Sequence, residues 1–257
     1  MRLFGDENGV SEVVDFMIIL GVTMLIMGVI AVYSMPTLTT MKEHSAIENS
    51  KQTFAVLNTN MNKVLLGNAP SQGVEIKMYR STLSVTTNNS IMIYLYNNTG
   101  VAGVPEAIFD GQTGNIEYKI SDVLIAYEGT GVWAKYPHAG TVMVDKPYIT
   151  NSSRGLVIPL GHITVVGTNS IGGSGLSRIV ADGSTPLVFE YSNIKKVNVT
   201  IVSDYWQGWR VYMESFLPFK YVSQNDRTLN ISYDAYDATS GPVDVKIVYT
   251  PLEVRLI

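Results

Sequence analysis

The amino-acid sequence predicts a mainly β protein with a long N-terminal α-helix: one transmembrane helix, an amphipathic stem, then an antiparallel β-sandwich or barrel-like domain. Three observations carry that expectation. Phe16 to Met35 is twenty residues without a charge, enough at about 1.5 Å per residue to cross a hydrocarbon core of about 30 Å. Leu38 to Leu66 contains no Pro or Gly and repeats apolar residues at helical spacing. Beyond Pro70 the rhythm changes to short β-branched and aromatic runs separated by Asn, Gly, Ser and Thr, the pattern of strands and turns. The expected divisions are a head (1–15), a transmembrane helix (16–36), a helical stem (37–69) and a β-rich domain (70–257).

The head is acidic. Asp6, Glu7, Glu12 and Asp15 against Arg2 account for most of the net charge of −4. The remainder is near neutral and lacks the basic face that nucleic acid requires. There is no cysteine, which excludes disulfides, thiolate metal sites and a Cys nucleophile. Pro36 closes the apolar run, because proline has no backbone N–H and disfavours helix in its predecessor; a stop or a kink is expected there. A carboxylate at mid-bilayer costs about 2.5–3.5 kcal/mol, so Asp15 belongs at the interface. Gly21 and Gly28 stand seven residues apart and suit one face of a helix contact, where small residues let backbones approach.

Positive-inside counting does not fix the orientation, with Arg2 before the apolar run and Lys42 and Lys51 after it. The acceptor motif N-x-[ST] occurs at Asn88, Asn97, Asn151, Asn198 and Asn230. All five lie beyond the apolar run, which favours a cytoplasmic N-terminus and an extracellular C-terminal part.

In the stem, Ile47, Phe54, Leu57, Met61, Val64 and Leu65 form one stripe of a 3.6-residue period. Gly67-Asn68-Ala69-Pro70 is its stop. Strands are expected at Val74–Met78, Ile91–Tyr96, Ile116–Ile120, Val123–Tyr127, Leu156–Val166, Leu187–Tyr191, Val197–Val202, Leu229–Tyr233, Val243–Tyr249 and Leu252–Leu256. Ser203 is positioned to cap a short helix in which Trp206, Trp209, Met213 and Phe216 share a face, ended by Pro218. Tyr205, Trp206, Trp209 and Tyr212 have two readings: a surface aromatic patch that stacks on sugars or a partner, or the core face of that helix. Helical spacing favours the second.

Catalytic and metal signatures are missing from the pattern. His44, His138 and His162 are too scattered for a ligand motif. Gly172-Gly173-Ser174-Gly175 lacks the Lys and Ser/Thr of a phosphate loop and reads as a flexible turn. Asp182, Glu190, Asp204, Asp234 and Asp237 offer carboxylates, yet their spacing selects no acid–base pair. The expectation is a protein that is not an enzyme, with no cofactor.

The run Asn8-Gly9-Val10-Ser11-Glu12-Val13-Val14 ahead of the apolar helix resembles the class III signal of archaeal type IV pilin-like proteins. That resemblance implies a dedicated signal peptidase cutting between Gly9 and Val10, although Asp6, Glu7 and Asn8 stand where the family usually has a basic residue. It also implies that Glu12 or Asp15 pairs with a neighbouring subunit during assembly. Glu48-Asn49-Ser50-Lys51 through Lys63, Gly67-Asn68-Ala69-Pro70-Ser71 and Val74-Glu75-Ile76-Lys77, and later Val199-Thr200-Ile201, Trp209 and Tyr212, are similar to archaeal membrane-anchored pilin-like proteins of halophiles and methanogens. The expected function is a pilin-like cell-surface protein with a structural or adhesive role, whose partners are the lipid bilayer and other copies or pilin-like subunits. The alternative is a non-polymerising single-pass protein whose external β domain binds a surface-layer component, a glycan or a membrane partner.

Overall fold

The computed structural model describes residues 7–97, 105–152, 155–234 and 241–257. It forms two compact units, Met1–Ala46 and Ile47–Ile257. The predicted signal residues Gly9 and Val10 and the acidic Glu12 lie on helix α1 (Glu7–Leu65), but their side chains are outside the described set.

In the first unit, α1 carries exposed apolar side chains from Val13 onward. Of the two expectations at Pro36, a stop or a kink, the stop is overturned: α1 continues through it. The hydroxyls of Thr37 and Thr39 donate to the carbonyls of Tyr33 (3.2 Å) and Met35 (3.1 Å). Such back-bonds help satisfy backbone groups around a proline in a helix.

In the second unit, the last turns of α1 bury the whole predicted stripe, Ile47, Phe54, Leu57, Met61, Val64 and Leu65. The helix ends in a Schellman motif. Gly67 takes φ +74°, its N–H bonds the carbonyl of Val64, and the N–H of Asn68 bonds that of Lys63, a geometry that favours glycine. The helix is tied to the strands around it. Thr250 Oγ1 donates to the Leu65 carbonyl at 2.7 Å, Asn58 Nδ2 donates to Asp145 at 2.9 Å, and the Phe54 ring meets Tyr118 at 6.4 Å.

The rest is strand. In order come β1 (Ser71–Thr86), β2 (Ser90–Asn97), β3 (Ala107–Gln112), β4 (Asn115–Ile120), β5 (Val123–Glu128), β6 (Gly131–Tyr136), β7 (Gly140–Asp145), β8 (Thr150–Ser152), β9 (Gly155–Val165), β10 (Ser170–Gly183) and β11 (Leu187–Val202). After helix α2 (Trp206–Phe216) follow β12 (Lys220–Asn225), β13 (Thr228–Asp234) and β14 (Val243–Leu256). They join in one sheet along the path β12-β13-β11-β14-β10-β1-β4-β5-β6-β7. Off this path, β2 pairs with the second half of β11 and carries β3, while β9 flanks β14 and carries β8. The pairing is antiparallel except for β9 and β14, which run parallel.

This one sheet coils so that distant parts of the path share a core. Ala126 of β5 and Trp133 of β6 belong to the same buried cluster as Ile93 of β2, Val199 of β11 and Ile231 of β13. Two-sheet sandwich packing is thus approximated by a single twisted sheet. Three expectations need correction. Leu187–Tyr191 and Val197–Val202 are halves of one strand, as are Val243–Tyr249 and Leu252–Leu256, because each half pairs with a different neighbour. Gly172–Gly175 is not a turn. It lies inside β10 opposite β1, with Gly173 and Gly175 at φ +132° and +136° beside the bulge between Met78 and Ser81, where side chains are disfavoured.

Candidate functional site

Two features stand out on the apolar helix and at one end of the sheet. The first is Phe16–Met35, whose large apolar side chains are exposed; the helix is long and apolar enough to cross a membrane. Asp15 directly precedes it. A side chain at Gly21 or Gly28 would meet nothing within 4 Å, so both positions are open to a neighbouring helix.

The second is a buried acid. Glu128 closes β5 and is 1 % exposed. The turn after it is a two-residue hairpin, with Gly129 and Thr130 at φ +55° and +67°. Trp209 Nε1 of α2 donates to Glu128 Oε1 (2.9 Å), Asn89 Nδ2 from the β1–β2 turn donates to Oε2 (2.5 Å), and Trp133 Nε1 donates to its main-chain carbonyl (3.2 Å). Arg227, from the β12–β13 turn, donates through Nη2 to Asn89 Oδ1 at 2.7 Å. Its Nε lies 2.8 Å from Asp204 without hydrogen-bond alignment, so that contact counts as charge proximity. Burial pushes the Glu128 carboxyl up to about 7, against the hydrogen bonds from Ser203 and Trp209; Asp204 adds to the rise and Arg227 opposes it.

The arrangement holds structure together. A β-hairpin, two other turns and helix α2 converge on one carboxyl group. Gly129 must be glycine for a second reason, since any Cβ there would run into the Trp209 ring. Nothing in the sequence paired these residues. The available signal was one charge inside the apolar run VLIAYEGTGVWA.

The aromatic quartet resolves toward the core. Tyr205, Trp209 and Tyr212 are buried and Trp206 is half-buried, so the surface-patch reading is corrected. Trp209 packs on Trp133 at 5.0 Å, Tyr205 donates to Glu117 (2.6 Å), and Tyr212 Oη donates toward the carbonyls of Pro147 (3.1 Å) and Ile149 (2.9 Å). Burial, with Glu117 close by, holds the Tyr205 phenol well above its ordinary value. Two details of α2 differ from expectation. Tyr205 takes the N-cap position without a side-chain bond, while Ser203 Oγ accepts from the Tyr205 N–H. Phe216 is exposed and Tyr212 takes the inward position, because the buried face follows Trp209, Tyr212 and Met213.

The remaining candidates stay apart. His44 lies on α1, His138 in the β6–β7 turn, and His162 on β9 with Nδ1 2.8 Å from the Gln112 carbonyl. Among the described residues no group of His, Asp and Glu is placed to hold a metal. Asp182, Glu190 and Asp204 pair with Arg255, Lys246 and Arg227, and Asp237 lies outside the described residues.

The acceptor asparagines fall into two kinds. Asn88, in the β1–β2 turn, and Asn151, on β8, are exposed. Asn97 is half-buried and accepts from Asn193 Nδ2 at 3.3 Å. Asn198 and Asn230 face each other's motifs across β11 and β13, in register with Ser232 and Thr200. Ser232 Oγ donates to Asn198 Oδ1 and Thr200 Oγ1 to Asn230 Oδ1, both at 2.8 Å, while Asn230 Nδ2 donates to Ser223 Oγ at 3.0 Å.

Residues 8–255 match the model of a family described as a family of unknown function, DUF7289. That match spans nearly the whole chain, and the chain belongs to this family. Comparison with curated proteins and with solved structures gives no match.

Proposed function

We propose that this member of a family of unknown function is a membrane-anchored, pilin-like cell-surface protein with a structural or adhesive role. In this reading Phe16–Met35 lies in the bilayer, the N-terminus is cytoplasmic and the β unit is extracellular. The observation that carries it is the exposure of an uncharged twenty-residue helical stretch, since a soluble protein leaves such a surface uncovered at a large hydrophobic cost. The β unit has its own buried core, which includes the last turns of the same helix. A structural rather than catalytic role fits a buried acid engaged by Trp209 and Asn89 and surface carboxylates paired with cations.

The open positions at Gly21 and Gly28 are compatible with helix–helix association in the membrane or in a filament core. The rival is a solitary anchored protein whose β unit binds a glycan, a surface-layer component or a membrane partner. Alkaline carbonate washing of native membranes, followed by protease treatment of intact cells, tests the anchor. The expected result is retention in the pellet and digestion of the β unit from outside; release by carbonate would overturn it.

A further inference from the structure

The outward face of β2, β11, β13 and β12 carries a depression of about 350 Å³. Its floor is ordered in rungs set by register: Tyr94 beside Asn198 beside Ser232, and Thr200 beside Asn230 beside Ser223. The opposite face of these strands is core, with Ile93, Val199 and Ile231 buried, so the backbone beneath the rungs is rigid. The bulge between Tyr221 and Ser223 brings exposed Val222 to the rim.

The ladder of hydroxyls and amides described above is pre-oriented and only partly spent. An Asn side chain offers two N–H donors and two acceptor lone pairs, and the bonds described use one acceptor site on each asparagine and one donor of Asn230. Tyr94 and Tyr96, half-buried, supply phenol rings on the same face. Among the described residues lining the depression, Lys196 carries the one formal charge. A phosphate or nucleic acid calls for several cations, and an added peptide strand calls for a free backbone edge rather than a sheet face. Aromatic rings beside fixed hydroxyls and amides match a ligand with apolar C–H faces and a ring of hydroxyls.

We infer that this face binds a neutral pyranose oligosaccharide, with Tyr94 and Tyr96 against the sugar faces and Asn198, Thr200, Asn230 and Ser232 on its hydroxyls. The inference stands apart from membrane anchoring and from polymerisation, because it concerns the β unit alone. The test is isothermal titration of the full chain in a detergent without a sugar headgroup, using maltotriose, mannotriose and chitotriose as probes. At least one should bind with a Kd below about 10 mM, the weak end of specific recognition. Tyr94→Thr, which keeps β propensity, should weaken it by about tenfold or more, and Lys196→Met should leave it within about twofold. Absence of binding by all three probes overturns the inference, as does binding that Tyr94→Thr leaves intact in a variant with unchanged melting. Loss of binding in Lys196→Met overturns the neutral ligand.

Discussion

Glu128 sets how the β unit responds to pH. In the unfolded chain its carboxyl titrates near 4.5, and in the folded unit burial moves it to about 7. Below 4.5 the group is protonated in both states and its contribution is fully present. As pH rises toward 7 the unfolded state gives up its proton first, so folding loses stability across that window, by up to about 3 kcal/mol at about 1.4 kcal/mol per unit. Chemical unfolding at pH 5 and pH 8 measures this: the native chain should lose stability between them by more than Glu128→Gln does. An equal loss in the variant would place the pH response on another group. The neighbouring Gly129 is equally constrained. Gly129→Ala meets both a positive φ and the Trp209 ring, and should lower the melting temperature by the equivalent of about 2 kcal/mol. Little of this cluster was legible in the sequence. The hairpin turn has a local signature, but Asn89 and Trp209 bond Glu128 across 39 and 81 residues and Arg227 bonds Asn89 across 138, and only the coiled sheet brings them together.

At the scale of elements, the helical period was the most readable signal, because burial on one side of a helix imposes it directly. All six stripe residues of the stem are buried. The same turns give a paired test: Phe54→Ala, with its ring fully buried, should cost about 3–5 kcal/mol, while Val56→Ala, on the exposed side, should stay within about 0.5 kcal/mol. Equal losses in denaturant unfolding would mean the stripe does not define the packed face. Strands were legible where alternating residues enter the core, as in β2 and β13. They were not where backbone pairing alone makes the strand, as in SIGGSGL, the first half of β10, held along β1. The acceptor motifs show the same limit. N-x-[ST] motifs on two adjacent antiparallel strands can hydrogen-bond one another, and Asn198 and Asn230 do so through their side-chain oxygens. Glycopeptide mapping from native membranes should therefore find any sugar at Asn88 or Asn151, and none at Asn230, whose amide nitrogen is engaged with Ser223. Occupied Asn230 would show that the ladder forms after modification or not at all.

For the whole molecule the proposed reading divides on whether the exposed helix would anchor one chain or be shared among many. Glycines open on one helix and an uncharged run bordered by Asp15 suit both arrangements, since lipid tails and neighbouring apolar helices offer similar surroundings. The arrangements differ in covalent chemistry at the N-terminus. In the pilin-like reading the acidic head would be removed, and a mature chain beginning at Val10 would carry its terminal amine two residues before Glu12, where it could pair with a neighbouring subunit's carboxylate. Mass spectrometry of the protein recovered from its native membrane reads this directly. A start at Val10, together with sedimenting polymers after shear, is the expected result for a filament subunit, and Glu12→Gln should then reduce polymer yield without releasing the chain from the membrane. An intact head with a detergent-soluble monomer would sink the polymerising reading and leave an anchored β unit, for which the polar face of β2, β11 and β13 is the surface to probe.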